Sequence, residues 1–287
     1  MLPPGCLATV QRSNVLLDAC RRGDLVTVKS LGTSLYSEPS HVHHNQSRMV
    51  PPIRVALCEA ARSGHGDILR FFFDEIPACR DAPGGERWNP CTNHMHSQDI
   101  PSQWRFDNWH NMLPIVAATS GEPQVFQTLL DYGMSVQAAP ERFTSPFEFA
   151  LAHHDFVISE FLLSRGASIY GNGEPLGDSS LHNAARRGDT DALQFLLDHG
   201  AKIHGTNALE GAAKSGCVPT AELLLDAGAD IDETFVPIYC FPDDESDGIC
   251  SALHTAIKWD QLDFVRFLLR QAQTWMSRMA YVKLQCN

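Results

Sequence analysis

A chain of 287 residues, 44% of them hydrophobic, carries enough apolar material for a folded core, and its net charge of −12 disfavours nonspecific attraction to nucleic acid or anionic lipid. No run of eighteen apolar residues occurs, so no membrane-spanning helix is expected. The nine cysteines are scattered, several at helix positions otherwise filled by alanine, and the start (Met1 to Ser13) has neither a basic n-region nor a long apolar stretch; both features point to reduced thiols and to the cytoplasm or nucleus.

An N-terminal segment, 1–13, precedes a self-similar region, 14–272, in which one pattern recurs. A leucine stands seven residues before a glycine that closes a first helix. A second glycine follows twelve residues later, with an apolar pair three and four residues before it. The first unit has Leu16, Arg21, Arg22 and Gly23, and Leu35 in place of its second glycine. An insertion at 37–52 carries His41, His43 and His44. The second unit has Leu57, Ala60-Ala61, Arg62, Gly64 and Phe72-Phe73, with Ile76 at the second slot, and leads into an insertion at 77–111 that holds Trp104, Phe106 and Trp109. In the third unit Pro114 stands in the place of leucine, so its first helix is expected to start late or to shift by a residue; Ala117-Ala118, Gly121, Leu129-Leu130 and Gly133 complete it. Phe147, His154 in the glycine slot, Leu162-Leu163 and Gly166 form the fourth. The fifth has Leu181, Gly188, Leu196-Leu197 and Gly200, and the sixth Leu209, Ala212-Ala213, Gly216, Leu224-Leu225 and Gly228. After an insertion at 233–249 come Leu253, Asp260 in the slot, Leu268-Leu269 and Ala272. Trp275, Met276, Met279, Tyr281 and Val282 then recur at helical spacing, which predicts a capping extension over 273–287 or a docking surface.

The best-formed unit, Ser180-Leu181-His182-Asn183-Ala184-Ala185-Arg186-Arg187-Gly188 followed by Leu196-Leu197-Asp198-His199-Gly200-Ala201, resembles the ankyrin repeat. The resemblance implies an all-α solenoid of about seven helix-turn-helix repeats with short or irregular β-hairpin connections. It also implies a scaffold or adaptor that binds another protein and brings no cofactor or chemistry of its own. The physical logic agrees: paired small residues let helices approach, Leu193, Leu196 and Leu197 give a stripe at i, i+3, i+4, and the glycine suits a left-handed helix stop. A lone helix pair cannot bury such a stripe, so each repeat needs its neighbours. Thr144, Ser180, His182 and His254 fall in or beside the positions that cap and brace the turn. Spacings between first slots of 41, 57, 33, 34, 28 and 44 residues depart from the family's regular period.

In ankyrin proteins the two residues before the first slot commonly face a concave groove and contact the partner. Here those positions hold Arg21, Arg22, Arg62, Arg186, Arg187, Lys214 and Lys258, with Trp259 beside the last, and none is acidic. Seven of fourteen are basic where composition predicts about one. Two explanations stand. A basic row takes an acidic segment of a partner, or cations simply favour a helix C-terminus by about 0.3–1 kcal/mol. Only the first predicts that charge reversal abolishes binding while folding survives.

Three further features bear on function. Cys91, His94, His96 and His110 offer donors of the kind zinc uses, though not at the close paired spacing of structural sites; the alternative is a loop anchored by Trp104 and Trp109. The acidic run Asp243, Asp244, Glu245 and Asp247 is suited to occlude a basic groove. Regulation, or assembly into a larger complex through the C-terminal helix or the 77–111 loop, is the alternative to a free-standing adaptor. No nucleophile elbow, phosphate-binding glycine loop or paired-histidine zinc helix occurs, so no enzyme is expected unless the 77–111 loop binds metal.

Overall fold

The computed structural model describes residues 4–36, 53–76, 113–132, 136, 145–171, 179–235 and 250–285. The chain divides into two compact units, Met1–Ala167 and Ser168–Asn287. The first unit contains α1 (Pro4–Arg22), α2 (Leu25–Tyr36), α3 (Ile53–Arg62), α4 (Gly66–Glu75), α5 (Leu113–Ala118), α6 (Pro123–Asp131), α7 (Pro146–Ala152) and α8 (Phe156–Ser164). The second contains α9 (Ser180–Arg187), α10 (Thr190–Asp198), α11 (Ala208–Ser215), α12 (Val218–Asp226), α13 (Ala252–Lys258) and α14 (Leu262–Gln285). Between α12 and α13, β1 (Thr234–Phe235) pairs antiparallel with β2 (Cys250–Ser251), Thr234 opposite Ser251. The fold is therefore all-α with one short hairpin ladder among the described residues. The expected boundary after residue 13 lies inside α1 and that after 272 inside α14; the insertions at 37–52 and 77–111, and 236–249 of the third, lie outside the described residues.

The helices form seven pairs, and within each unit like packs on like. First helices stack as α1–α3–α5–α7 and as α9–α11–α13; second helices stack as α2–α4–α6–α8 and as α10–α12–α14. Four residues before every first slot stands an alanine: Ala19, Ala60, Ala117, Ala150, Ala184, Ala212 and Ala256, each with no solvent exposure. The side chain is small because neighbouring first helices meet there. In the second helices the first member of each apolar pair is the buried one (Phe72, Leu129, Leu162, Leu196, Leu224, Leu268). Its partner is mostly half-buried, and Leu269 is 49% exposed. Full burial of such a side chain contributes about 1.5–3 kcal/mol.

The slots themselves carry the register. All seven, Gly23, Gly64, Gly121, His154, Gly188, Gly216 and Asp260, have positive φ. At six of them the N–H of the next residue donates to the carbonyl of the buried alanine, as in Asp189 to Ala184 (3.0 Å) and Gln261 to Ala256 (2.8 Å), which closes the helix end in a Schellman turn. The residue after the slot then starts the second helix, and Asp24, Asp155 and Asp189 cap it by accepting from the N–H three residues on. Hydrogen bonds from the Thr27 hydroxyl and N–H hold the Asp24 carboxyl below its usual range. Glycine is also required from outside: a Cβ at Gly188 would lie 3.3 Å from Cys217 Cβ and Sγ, one at Gly64 3.1 Å from Glu122 Cγ, and one at Gly216 would strike Gln261.

Two local expectations resolve differently. The first helix of the third repeat is not displaced: α5 begins at Leu113, eight residues before Gly121, the offset at which α9, α11 and α13 also begin relative to their slots. Proline is tolerated there because the first turn of a helix has no use for its N–H. The caps of α7 and α9 are Ser145 and Ser179, each adjacent to the hydroxyl expected. Ser145 and Glu148 form a reciprocal capping box, and Ser179 Oγ accepts from the His182 N–H at 3.2 Å.

Candidate functional site

The row of basic residues follows from helix geometry. Residues four and three before the slot turn into the stack (Ile257 of the last pair excepted), and residues two and one before it turn outward. In the second unit Arg186, Lys214 and Lys258 occupy the minus-two position on the three successive first helices α9, α11 and α13; Arg187, Ser215 and Trp259 occupy the minus-one position. All are exposed except Lys214, which is partly covered. Trp259 is 52% exposed, and Lys214 Nζ lies 5.8 Å from its ring centroid, a cation–π contact. In the first unit Arg21, Arg22 and Arg62 are exposed, but the minus-two positions on α5 and α7 are Thr119 and Ala152. Trp109, and the donors Cys91, His94, His96 and His110, lie outside the described residues.

Behind each row lies a buried glutamate that slot-by-slot reading misses. In the first unit Glu59, 4% exposed, accepts from Arg21 Nε at 2.6 Å and from Arg62 Nη1 at 3.1 Å, tying α1 to α3. In the second Glu210, also buried, meets Lys214 Nζ at 3.6 Å, His182 Nδ1 at 3.7 Å and the Thr255 hydroxyl at 3.4 Å, so it touches α9, α11 and α13. Buried carboxylates persist only with such partners. The signal was an acidic residue three or four positions before the cation on the same helix. Arg22 pairs with the exposed Asp18 at 3.0 Å, a surface contact worth about 0–1 kcal/mol, whereas Arg187 lies 3.8 Å from Asp189, the largely covered carboxylate that caps α10.

His182 braces rather than ligates: its Nδ1 lies 2.9 Å from the Asn207 carbonyl oxygen. His254 Nδ1 is 2.8 Å from the Ser251 hydroxyl that caps α13. Cys20 and Cys58 are buried thiols, and burial pushes the Cys20 thiol up to about 12, which removes it as a nucleophile. Among the described residues no group of three or more His, Cys, Asp or Glu stands together as metal donors, and no helix is long and apolar enough to cross a membrane.

A family model for ankyrin repeats in three copies matches residues 148–234, and one for ankyrin repeats in many copies matches residues 209–269. This is an ankyrin-repeat protein. The crystal structure of the human ASB11 ankyrin repeat domain is similar to the ankyrin chain over 84% of its length and 90% of that domain's, with a TM-score of 0.50. At 21% identity the likeness speaks for the fold alone. No curated protein matches the chain. Ankyrin repeats are generally protein–protein interaction modules.

Proposed function

We propose that this ankyrin protein is a non-enzymatic scaffold that holds an acidic segment of a partner protein across the first-helix ends of its second unit. The observation that carries the reading is the unbroken minus-two sequence Arg186, Lys214, Lys258 on three stacked helices, with Trp259 beside it. Arginine and tryptophan are the residues most enriched at interface hot spots. The test uses a fluorescent glutamate-rich peptide, read by anisotropy at low and physiological salt. The comparison variant combines Arg186→Glu, Lys258→Glu and Lys214→Gln; the last avoids placing a like charge against buried Glu210. Circular dichroism verifies that both proteins are folded. Binding by the wild type and its loss in the variant supports the reading. Equal binding by both proteins refutes it and leaves helix-end electrostatics as the reason for the row.

A second reading, docking into a larger assembly through the terminal repeat, has one observation in its favour. Three residues before each of the other slots the side chain is buried (Ala185, Ala213), whereas Ile257 is 62% exposed beside Leu262 at 60%. A molecular mass that rises with protein concentration would support it.

A further inference from the structure

Positions that the following repeat covers elsewhere are left open in the last one. Three residues before the slot the side chain is buried from Cys20 in the first repeat onward, but Ile257 is exposed. Five residues after the slot Val28, Leu69, Phe126, Leu193 and Ala221 are fully buried, but Val265 only half so. Burial in the first repeat and exposure in the last identify the next repeat as the usual cover. A terminal repeat needs a polar outer face to stay soluble. This one presents Ile257, Leu262 and Leu269 to solvent.

The open face has the pattern of a helix seam. Phe264, Phe267 and Leu268 of α14 are buried against the repeat. About a third of a turn round the helix, Leu262, Val265, Leu269 and Ala272 stand at i, i+3, i+7 and i+10, and the sequence keeps that register at Met276 and Met279. Apolar residues alternately three and four apart form the seam of a coiled coil, whose knobs fit the holes of another helix. The later half of α14 cannot supply that helix. Whereas α6, α8, α10 and α12 end ten residues after their slots, α14 runs on unbroken to Gln285, about 22 Å further, and an unbroken helix does not fold back over its own face.

A reversed copy of α14 does fit. The six seam positions are symmetric about the point between Arg270 and Gln271, so an antiparallel copy aligns Leu262 with Met279, Val265 with Met276 and Leu269 with Ala272. Half of the seam lies on the repeat and half on the overhang, so the overhang of one copy has the length and register to cover the exposed half of the other. At the centre a large residue meets a small one, which lets the two helices approach.

We propose that the occupant of this face is a second copy of the same chain, joined through an antiparallel pair of α14 helices, with Met276 and Met279 of each copy over Leu262 and Val265 of the other. This rests on the second reading above, docking through the terminal repeat. The experiment is sedimentation equilibrium of the whole chain across a range of concentrations, for the wild type, Leu269→Glu, Ala272→Lys and an equimolar mixture of the two variants. Neither position is buried, so both variants should fold, which circular dichroism checks. The wild-type mass should rise towards twice that of the chain, and each variant alone should associate at least about tenfold more weakly. The mixture should recover, because an antiparallel pair sets the two substituted positions opposite each other with opposite charges. Weakening in both variants without recovery in the mixture would overturn the antiparallel pairing and leave docking through the terminal repeat standing. A rise in mass untouched by either substitution would overturn the pairing and move association to another surface. A wild-type mass that stays at one chain throughout would remove both readings.

Discussion

Gly211 is the position where the packing of the second unit can be tested most directly. It lies mid-helix in α11, where glycine costs about 0.8–1 kcal/mol relative to alanine, so Gly211→Ala on propensity alone should stabilise. The structure predicts the opposite. The new Cβ would lie 2.7 Å from a backbone oxygen of α9, and ordinary contact begins near 3.4 Å, so α11 must withdraw by several tenths of an ångström from a neighbour that cannot rotate away. Overpacking of this kind costs about 1–3 kcal/mol. The withdrawal also strains the His182–Asn207 contact of 2.9 Å and the Ser215–Ala185 hydrogen bond of 3.2 Å, each worth about 0.5–1.5 kcal/mol. After the propensity gain, the net loss is about 1–3 kcal/mol. Urea titration followed by far-ultraviolet circular dichroism would read it as a lower midpoint. A variant as stable as the wild type, or more so, would show that α11 does not lie against the α9 backbone.

The left-handed slots give a pair of substitutions with opposite expected signs. Gly188→Ala places a Cβ at φ 70 against Cys217 and should lower stability by about 1–2 kcal/mol, whereas Asp260→Gly, at φ 56, should leave it unchanged or raise it by about 0.5 kcal/mol. Thermal melts of the two variants decide it; equal falls would contradict the slot assignment. Tyr132 donates to Asp74 Oδ1 at 2.6 Å, and partial burial, that bond and the nearby carboxylate raise its phenol to about 12. Because the folded value lies above the ordinary value of 10, this contribution is complete below pH 10 and is lost as pH rises towards 12. Stability measured across that window should fall less steeply in Tyr132→Phe, which keeps the ring against Phe73; parallel curves would mean the bond contributes nothing.

Much of the backbone was legible in the sequence because one physical demand, a left-handed residue at the end of each first helix, recurs at a countable position. It was visible even where glycine is missing: His154 and Asp260 both adopt positive φ, a conformation that histidine and aspartate tolerate better than most. Family models match only 148–269, although helix pairs extend back to α1. The earlier repeats place Leu35 and Ile76 at the second slot and are interrupted after Tyr36 and Ile76, so period is lost while the buried alanines and apolar stripes that make the pairs persist. What the pattern could not give is three-dimensional pairing. Glu59 and Glu210 sit at different offsets from their slots; each meets a cation of its own helix, but only the packing of adjacent first helices brings Arg21 to Glu59 and His182 and Thr255 to Glu210. The exposure of Ile257 was equally hidden, since its apolar character matches its buried counterparts and only its place in the final helix pair sets it apart.

The two units hold basic residues at the same register in different surroundings, and the proposed recognition site follows from that difference. In the first unit Arg21 and Arg62 converge on one carboxylate, Glu59, so much of their charge serves to join α1 to α3. The row then breaks at Thr119 and Ala152. In the second unit Glu210 is shared among Lys214, His182 and Thr255, and the cations on α9 and α13 lie at other rungs. Glu210 thus fixes the middle cation while the flanking pair stays on an exposed surface. A fixed cation between two exposed ones loses less side-chain entropy on meeting a ligand than three mobile ones would. Replacing Glu210 by glutamine would therefore free Lys214 and raise the row's positive charge, yet it should weaken rather than strengthen binding of the glutamate-rich peptide in the anisotropy titration, because the middle cation would no longer be held in place; tighter binding would refute this.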